Sequence, residues 1–502
     1  MAGAFDPDLF GHTAEQVALR LRRHLADPSV RGLDLVEPDA LAKTARELMT
    51  TERDRVAGFD EGRLHRILDL YIGTGIQVHS PGYMGRQFSG VVPLAAVVDL
   101  VSSVVNQPSS FYEAAQLPSV AERVMADELN RYVGFDPDRF AMVTTSGGSL
   151  ANLTALLAAR NHAFPGIWTR GAAQEAGRPA IAVGAEAHYS VVRAAGVLGI
   201  GEDQVVRLPA DRRGRIRADR AGAVLDDARR RGLNVFCLVA SAGTTSMGAF
   251  DPLAELAAVT RPRGIWLHVD GAHGASLLLS ARHRHRLRGL DQADSLTWDA
   301  HKMLFVPSPC TLLFYRDAAT AAGAFRQRAS YVFDDEPDVY SALDSGDRTL
   351  ECTKRPMIMP LWTLWAMYGP ALFARKIDHL CATARLAHRM LRAEPGFAVL
   401  HQPEANILCF RYSPPGLDPA HLHRLQLAIR DRVRADGRLF ISKVDIDGVA
   451  ALRLVVMNHR TDASHLALLI AETRAAGRRA LREAGLPTPG APPETPDAAP
   501  TP

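Results

Sequence analysis

The sequence contains very little lysine. Of its 58 basic residues in a chain of 502, five are lysine and all the others are arginine. Arginine cannot lose its proton near neutral pH, whereas the amine of lysine can. A position that keeps lysine is therefore a candidate for an amine that reacts in its free form. The five lysines are Lys43, Lys302, Lys354, Lys376 and Lys443.

The sequence also lacks an excess of charge of either sign. Its 58 basic residues are opposed by 55 acidic ones, which leaves a formal net charge of +3. Proteins that bind nucleic acid or a membrane surface usually carry a clear basic excess. The charge balance therefore predicts neither partner.

Cysteine and long apolar runs are scarce as well. The five cysteines are widely spread, contain no Cys-x-x-Cys pair and lie at positions 237, 310, 352, 381 and 409. This pattern argues against a disulfide framework and against a metal cluster. No stretch approaches the ~18 uninterrupted apolar residues of a membrane span, and the first residues lack a signal-peptide pattern. A cytoplasmic protein without metal or membrane attachment is expected.

Strand and helix patterns alternate from residue 140 onward. Short apolar runs predict strands at 140–144, 180–183, 204–208, 235–240, 265–269, 295–298 and 311–315. Apolar residues at helical spacing predict helices between them, at 150–164, 191–198, 218–230 and 252–259. This alternation indicates an α/β fold with a mostly parallel central sheet and helices on both faces.

The rest of the chain divides around this region. Residues 1–80 are predicted to form an N-terminal helical segment and 81–370 the large domain. Apolar spacing predicts a long helix over 370–392. Strand patterns at 397–400, 406–412 and 451–457 and a helix pattern near 419–434 then predict a small α+β domain over 371–486. Residues 320–355 are polar and turn-rich and are expected to form a mobile loop, and the Pro-rich tail 487–502 is expected to be disordered.

A glycine-rich turn follows the first predicted strand of the sheet and opens a helix. It reads Thr144-Thr-Ser-Gly-Gly148-Ser149. Glycine lets the backbone approach a ligand closely, and a helix N-terminus presents free N–H groups. The turn is therefore a candidate phosphate site, although an ordinary strand-to-helix turn remains an alternative.

Two further strands end in chemically active side chains. His268-Val-Asp270 ends an apolar strand with a carboxylate at the edge where open α/β sheets bind ligands. Asp299-Ala-His-Lys302 places one of the five lysines in an apolar stretch, which favours a neutral, nucleophilic amine. The alternatives are a carboxylate that caps the next helix and a lysine that extends into solvent.

A phosphate site, a carboxylate and an amine are the parts that hold pyridoxal phosphate. Lys302 would form a Schiff base with the aldehyde of this cofactor. Asp270 would keep the pyridine nitrogen protonated, which makes the ring an electron sink. His188 follows a predicted strand and would stack on the ring, and Thr245 follows another and would offer a hydroxyl group.

The order and spacing of these motifs resemble the group II pyridoxal-phosphate decarboxylases, a family that includes aromatic amino acid, glutamate, aspartate and 2,4-diaminobutyrate decarboxylases. The resemblance covers roughly residues 60–475. It rests on Ser80-Pro-Gly-Tyr-Met-Gly85, Ser146-Gly-Gly-Ser-Leu-Ala-Asn152, Ala187-His-Tyr-Ser190, Gly243-Thr-Thr-Ser-Met-Gly-Ala-Phe-Asp-Pro252, His268-Val-Asp-Gly-Ala-His273, Asp299-Ala-His-Lys302 and Leu452-Arg-Leu-Val-Val-Met-Asn458.

This resemblance implies a type I fold of the PLP-dependent transferases, an obligate homodimer and α-decarboxylation of an L-amino acid to an amine and CO₂. Residues 1–80 would then be the dimerisation segment and 81–370 the PLP-binding domain. The residues it implies for cofactor binding are Gly148, Ser149, His188, Thr245, Asp270, Ala272, Asp299, His301 and Lys302. Lys302, His188 and Asp270 would be catalytic. Arg453 stands where some members hold the substrate carboxylate, and Ser89 is a further candidate for a substrate contact. No motif defines the substrate side chain.

Two places depart from the family pattern. Asp344-Ser-Gly stands near the position of a loop tyrosine that protonates the carbanion in many aromatic members, with Tyr331 and Tyr340 nearby. Met357-Ile-Met-Pro-Leu-Trp362 lacks the basic residue that usually precedes Leu-Trp. Alternatives to simple decarboxylation therefore stay open: oxidative deamination coupled to decarboxylation, β-elimination with carbon–sulfur cleavage, and a non-catalytic binding protein.

Overall fold

The computed structural model describes residues 5–49, 59–172, 177–322, 324–325, 343–346, 348–351 and 353–486. The chain forms two compact units. The large unit comprises Gln87–Arg385 and His401–Ile407. The small unit comprises Met1–Arg86, Leu386–Leu400 and Leu408–Pro502, so it joins residues from both ends of the chain.

The secondary structure within the described residues is as follows. The helices are α1 (Pro7–Ala26), α2 (Pro38–Met49), α3 (Glu61–Gly73), α4 (Pro93–Val105), α5 (Gln116–Val133), α6 (Gly148–Ala163), α7 (Ile167–Arg170), α8 (Tyr189–Val197), α9 (Ala218–Arg230), α10 (Leu253–Thr260), α11 (Ala318–Ala322), α12 (Ile358–Ala393), α13 (Pro419–Asp436) and α14 (Ala463–Glu483). The strands are β1 (Leu33–Asp34), β2 (Gly75–Ile76), β3 (Ala141–Thr145), β4 (Arg178–Gly184), β5 (Val205–Leu208), β6 (Leu233–Ser241), β7 (Trp266–Asp270), β8 (Ser295–Asp299), β9 (Thr311–Tyr315), β10 (Phe397–Val399), β11 (Ile407–Tyr412), β12 (Ser442–Ile446) and β13 (Val449–Val455).

A seven-stranded sheet organises the large unit, in the order β3-β9-β8-β7-β6-β4-β5. The pairs from β8 to β5 are parallel, and β9 is antiparallel to both of its neighbours. Strands β7, β8 and β9 are buried at every residue. Near-continuous apolar strands are required when helices cover both faces of a parallel sheet. The predicted α/β fold class with a mostly parallel sheet is confirmed.

A second sheet of four strands lies in the small unit, in the order β10-β11-β13-β12. Helices α13 and α14 pack against each other, and α13 also packs on β13. Strand β12 and helix α14 were not predicted from the sequence. Strand β12 reads Ser-Lys-Val-Asp-Ile and alternates polar with partly buried residues, so it carries a weak apolar signal.

Helix α12 contains a kink that divides it. Gly369 adopts a positive φ of 62°, and Pro370 follows inside the helix. Proline cannot donate the backbone hydrogen bond of a continuous helix, and the left-handed conformation at residue 369 favours glycine. The sequence predicted only the part after this kink, from residue 370 to 392.

Some predictions fall on residues that the structure does not describe. Most of the predicted mobile loop, residues 326–342 with Tyr331 and Tyr340, lies outside the described residues, as does the tail 487–502. The assignment of separate roles to the predicted domains stays a prediction. Among the described helices, none is long and apolar enough to cross a membrane.

Candidate active site

Six strands of the large unit bring their carboxyl ends to the same edge of the sheet. Strands β4 to β8 run parallel, and β3 has the same direction because β9 is antiparallel to both β3 and β8. Open α/β sheets bind ligands beyond this edge. The chemically active residues follow or end these strands, so the topology brings them together.

A cavity of about 190 Å³ lies at this edge, entirely within the large unit. All nine residues predicted to bind the cofactor line it. The lining residues are Gln87, Gly148, Ser149, Asn152, His188, Ser241, Gly243, Thr244, Thr245, Asp270, Ala272, His273, Asp299, His301 and Lys302. Residues that are up to 215 positions apart in the sequence thus share one small polar space.

The amine of Lys302 is paired with a buried carboxylate. Its Nζ lies 2.9 Å from Oδ2 of Asp299, whose side chain is 3% exposed. Burial acts to raise the pKa of Asp299, but Lys302 and His301 outweigh burial and hold that pKa below its ordinary value. Thr311 adds a 2.6 Å hydrogen bond from its hydroxyl to Oδ1. Asp299 is therefore an anion that fixes the position of the lysine amine.

The glycine-rich turn passes close to this pair. A Cβ atom placed on Gly148 would lie 2.9 Å from Oδ1 of Asp299, a distance that real side chains do not tolerate. Gly147 has a φ of 140°, which also favours glycine. Helix α6 begins at Gly148, and the first N–H groups of a helix have no partner inside it. The turn thus presents backbone donors next to the lysine.

Asp270 is held by a chain of buried polar side chains. Nδ2 of Asn152 donates to Oδ2 of Asp270 at 2.9 Å, and the backbone N–H of Ala272 donates to Oδ1 at 3.2 Å. Oδ1 of Asn152 lies 3.0 Å from Nε2 of His268, whose Nδ1 lies 2.8 Å from the hydroxyl of Ser295. Because all of these hydrogen bonds are buried, they fix the plane of the carboxylate of Asp270.

The imidazole of His268 remains neutral within this series of hydrogen bonds. It is fully buried, and burial lowers its pKa from 6.5 to about 4, although Asp270 opposes this shift. A neutral ring has one donor and one acceptor nitrogen. The acceptor role of the Asn152 oxygen places the proton of His268 on Nε2.

His188 lies at the N-terminus of helix α8 and faces the same cavity. Its Nδ1 is 2.8 Å from the hydroxyl of Ser190, which also accepts a hydrogen bond from Asn152 at 3.0 Å. Burial lowers the pKa of His188, Asp270 opposes this, and Lys302 lowers it further. The neutral ring is thus fixed next to both the carboxylate and the amine.

A tight turn presents Thr245 to the cavity. The hydroxyl of Thr244 accepts a hydrogen bond from the backbone N–H of Ala249 at 3.0 Å, and Gly243 has a φ of 90°. A Cβ atom on Gly243 would approach the backbone of Gly274 to 3.2 Å. The side chain of Thr245 itself is exposed toward the cavity.

These side chains fit pyridoxal phosphate by their chemistry. The cavity combines an amine, a carboxylate with a fixed plane, a neutral imidazole and a helix N-terminus. An aldehyde, a pyridine nitrogen, an aromatic ring and a phosphate are the groups that these four features recognise. No described group of three or more His, Cys, Asp or Glu residues is arranged to hold a metal ion.

Comparison with known proteins agrees with this chemistry. Residues 67–413 match the model of the pyridoxal-dependent decarboxylase conserved domain. The chain belongs to the pyridoxal-dependent decarboxylase family. The predicted resemblance, the cofactor and the enzyme class are thereby confirmed: the protein is a PLP-dependent carboxy-lyase that removes the α-carboxylate of an amino acid.

Two relatives and one solved structure show how far the likeness to this decarboxylase extends. Mouse cysteine sulfinic acid decarboxylase is 30% identical over 483 residues, which cover 94% of this chain and 95% of the relative. An L-aspartate decarboxylase of Metarhizium robertsii is 31% identical over 384 residues, or 76% of each chain. The crystal structure of mouse CSAD superposes with a TM-score of 0.84 at 27% identity, covering 93% of this chain and 98% of that one.

The two substrate residues predicted for this decarboxylase lie in different places. Ser89 belongs to the large unit, and its hydroxyl donates to the backbone oxygen of His301 at 3.4 Å. Arg453 belongs to the small unit, where Nη1 donates to Gly85 O at 3.3 Å and to the hydroxyl of Ser442 at 3.1 Å. Burial lowers the pKa of Arg453 to about 10, so the guanidinium still carries its charge at neutral pH.

Several residues of the decarboxylase site received no role from the sequence. Gln87, Asn152 and Ser241 line the cavity. Asn152 was part of a motif, but its partners His268 and Asp270 lie 116 and 118 residues away. Side-chain contacts over such separations leave no local pattern, whereas the position of Asn152 one helical turn after Gly148 was a usable signal.

Proposed function

We propose that this enzyme decarboxylates an acidic L-amino acid to an amine and CO₂, in the cavity of the large unit. The main support for this proposal is that Lys302 pairs with Asp299 beside the fixed carboxylate of Asp270. When bound, pyridoxal phosphate supplies an electron sink for the electron pair that CO₂ leaves behind. The other contributions come from the side chains and backbone of this chain.

Each group of the cavity has a distinct task in this proposal. Lys302 would hold the cofactor through its aldehyde carbon. Asp270 would favour a protonated pyridine nitrogen, because an anion of fixed orientation stabilises that proton. Gly148 and Ser149 at the start of α6 would bind the phosphate, and the imidazole of His188 would contact the ring. Ala272, Thr245, Asp299 and His301 complete the binding site.

The acidic side chain of the substrate is inferred from two observations. The relatives of this chain include decarboxylases of aspartate, of cysteine sulfinic acid and of acidic amino acids. In addition, Nε2 of Gln87 is buried at the cavity, and no described residue accepts a hydrogen bond from it. A buried donor without a partner costs free energy unless a ligand accepts its hydrogen bond, which a carboxylate or sulfinate would do.

A substrate panel tests this proposal. The holoenzyme is assayed with L-aspartate, L-cysteine sulfinate, L-glutamate, L-2,4-diaminobutyrate and L-tryptophan, and CO₂ and amine are both quantified. We expect CO₂ and amine in equal amounts from at least one acidic substrate, with no turnover of the cationic and aromatic ones. Preferred turnover of tryptophan or diaminobutyrate would contradict the acidic substrate class.

The same assay separates the alternative outcomes. Decarboxylation coupled to oxidative deamination would give CO₂, an aldehyde, ammonia and, with dioxygen as the oxidant, peroxide. β-Elimination would give a thiol, a keto acid and ammonia without CO₂. Equal amounts of CO₂ and amine would exclude both alternatives.

The segment that departs from the family pattern is held in place by two hydrogen bonds. Oδ1 of Asp344 accepts a 2.8 Å hydrogen bond from the N–H of Tyr112, and the N–H of Ser345 donates to Ser110 O at 3.0 Å.

The predicted role of Arg453 in substrate binding has its own test. Arg453→Gln should raise the KM for the acidic substrate by about tenfold or more, because it removes a buried cation that recognises carboxylates. The Kd of pyridoxal phosphate serves as the control and should change less than about twofold. An unchanged KM would exclude Arg453 from the substrate site.

A homodimer is part of the proposal. Helix α4 exposes apolar side chains at helical spacing, namely Val97, Leu100, Val101, Val104 and Val105. Each is 49% to 58% exposed, and an apolar stripe of this kind marks an interaction surface. We expect Val101→Glu combined with Val104→Glu to yield a monomer by light scattering, while Val197→Glu on α8 leaves the dimer mass unchanged. A monomeric wild-type protein would contradict the homodimer.

A cytoplasmic location is likewise proposed. The four described cysteines, Cys237, Cys310, Cys381 and Cys409, are free and buried, as is common in a reducing compartment. Cell fractionation tests this location, and recovery of the protein in an oxidising compartment would contradict it.

A further inference from the structure

A second lysine lies behind the phosphate turn. Among the described strands, β3 lies at the edge of the large sheet and pairs with β9 alone. Thr144, which pairs with Leu312, is the second-last residue of β3 and lies at the start of the glycine-rich turn segment. The backbone groups that an edge strand directs away from its neighbour need partners other than a strand when they are buried.

Glu122 of helix α5 supplies one such partner. Its Oε1 accepts a hydrogen bond from the N–H of Thr144 at 3.0 Å, and its Oε2 accepts one from the hydroxyl at 2.6 Å. Thr144 is fully buried, and Glu122 is 9% exposed. Both carboxylate oxygens therefore bind the same residue of the strand.

Lys354 supplies the other partner. Its Nζ donates to the carbonyl oxygen of Thr144 at 3.2 Å and lies 3.9 Å from Oε1 of Glu122. The side chain of Lys354 is 1% exposed. The backbone of Lys354 is itself held, because its carbonyl oxygen accepts a hydrogen bond from the N–H of Ser109 at 2.8 Å.

The same segment contacts the turn at a second point. Oε1 of Glu351 accepts a hydrogen bond from the N–H of Ser146 at 3.1 Å. Ser146 immediately precedes Gly147, and helix α6 begins one residue later. Glu351 and Lys354 thus hold the backbone on the approach to the phosphate turn at two positions.

We propose that Lys354 and Glu122 are positioning residues for the phosphate of the cofactor. By fixing the end of β3, they set the direction in which the N–H groups at Gly148 and Ser149 point. This inference rests on the proposed function, because it assumes that those two residues bind the phosphate.

Stability alone does not explain this pair. Burying two charges costs solvation free energy that their attraction rarely exceeds, and apolar replacements of buried pairs are often equally stable. Apolar side chains would, however, leave the N–H and C=O of Thr144 without partners and the strand end free to shift. A misplacement of about 1 Å can cost about a hundredfold in a binding or catalytic site.

The test compares pyridoxal phosphate with pyridoxal, which lacks the phosphate. Wild type, Lys354→Met, Glu122→Gln and the double variant are prepared without cofactor, and both ligands are titrated by visible absorbance. We expect Lys354→Met to raise the Kd of pyridoxal phosphate by about tenfold or more, whereas the Kd of pyridoxal should change little. The preference for the phosphorylated ligand, which is the ratio of the two Kd values, should therefore fall. Lys376→Met, on helix α12, is the matched control and should retain the wild-type preference.

The outcomes separate a positioning role from a structural one. A lower melting temperature with an unchanged preference for the phosphate would overturn the inference. If Lys354→Met does not fold, the double variant carries the same readout, because it contains no unpaired buried charge. Gly148→Ala tests the underlying assumption: if it also keeps the wild-type preference, the proposed phosphate site fails, and if it alone loses the preference, only the role of Lys354 and Glu122 fails.

Discussion

Two strands of the large sheet are held near their carboxyl ends, at the edge of the cavity, in different ways. Central strand β7 has parallel neighbours on both sides, and its terminal Asp270 is oriented by the side chains of Asn152 and His268. Edge strand β3 has a neighbour on one side, and its Thr144 is held through the backbone by Glu122 and Lys354. Neutral side chains thus orient the end of the central strand β7, whereas a buried ion pair holds the end of the edge strand β3.

This difference follows from what the sheet already provides. In β7 the backbone bonds are made by β6 and β8, so only the side chain of Asp270 needs orientation, and neutral amide and imidazole groups are sufficient. In β3 one side of the backbone has no strand to bind, and a carboxylate with an ammonium group supplies one acceptor and one donor. A site residue at the centre is thus positioned by its side chain, and one at the edge by its backbone.

The largest effect is expected from the carboxylate at the centre. Asp270→Ala should lower kcat by about a thousandfold or more, because no anion then favours the protonated pyridine nitrogen. Steady-state assays with saturating cofactor measure this loss. A decrease of less than tenfold would show that Asp270 is not the partner of the ring nitrogen.

The network behind that carboxylate should matter less than the carboxylate itself. Asn152→Ala removes the hydrogen bond to Asp270 and should lower kcat by about ten- to a hundredfold. Thr154→Val on the same helix is the control, because no described residue bonds its buried hydroxyl. Equal activities of the two variants would contradict the orienting role of Asn152.

The buried imidazole makes a prediction about pH. His268 has a pKa of about 4 in the folded protein and 6.5 ordinarily, so the unfolded chain binds more protons between these values. The contribution of His268 to the free energy of unfolding is therefore lost as the pH falls from 6.5 towards 4, by about 3 kcal/mol in total. Melting temperatures of wild type and His268→Gln should converge over this range, and a constant difference would contradict a neutral His268.

The smallest effect is expected at the edge, from a change of charge that keeps an acceptor. Glu351→Gln retains an oxygen for the N–H of Ser146 but removes a negative charge near the phosphate turn. The Kd of pyridoxal phosphate should decrease by about two- to threefold at low salt, and the change should shrink at high salt. Weaker binding by Glu351→Gln would show that the carboxylate itself is required.

The central strand was largely predictable from sequence, and the edge was not. Asp270 ends one fully buried strand and Lys302 follows another, so their positions at the sheet edge could be inferred from local pattern and topology. The contact from Lys354 to Thr144 joins residues 210 positions apart, and that from Thr144 to Glu122 joins residues 22 apart. Neither spacing has a period that a sequence can reveal.

The partner of the lysine amine was also hidden in the sequence. Asp299 was predicted to bind the cofactor, and the structure adds that it pairs directly with Lys302 on the following turn. The motif contained both residues, but the direction of a side chain after a strand end depends on the packing of the turn. The lack of space for a Cβ atom on Gly148, next to Asp299, is likewise a property of the packed structure alone.

The most direct test asks which of the five lysines holds the cofactor. The holoenzyme is reduced with borohydride, which makes the bond between lysine and cofactor permanent, and is then digested and analysed by mass spectrometry. We expect the pyridoxyl group on the peptide that contains Lys302, and no label on peptides with Lys354, Lys376 or the remaining lysines. Label on Lys354, or an even distribution over several lysines, would contradict the account.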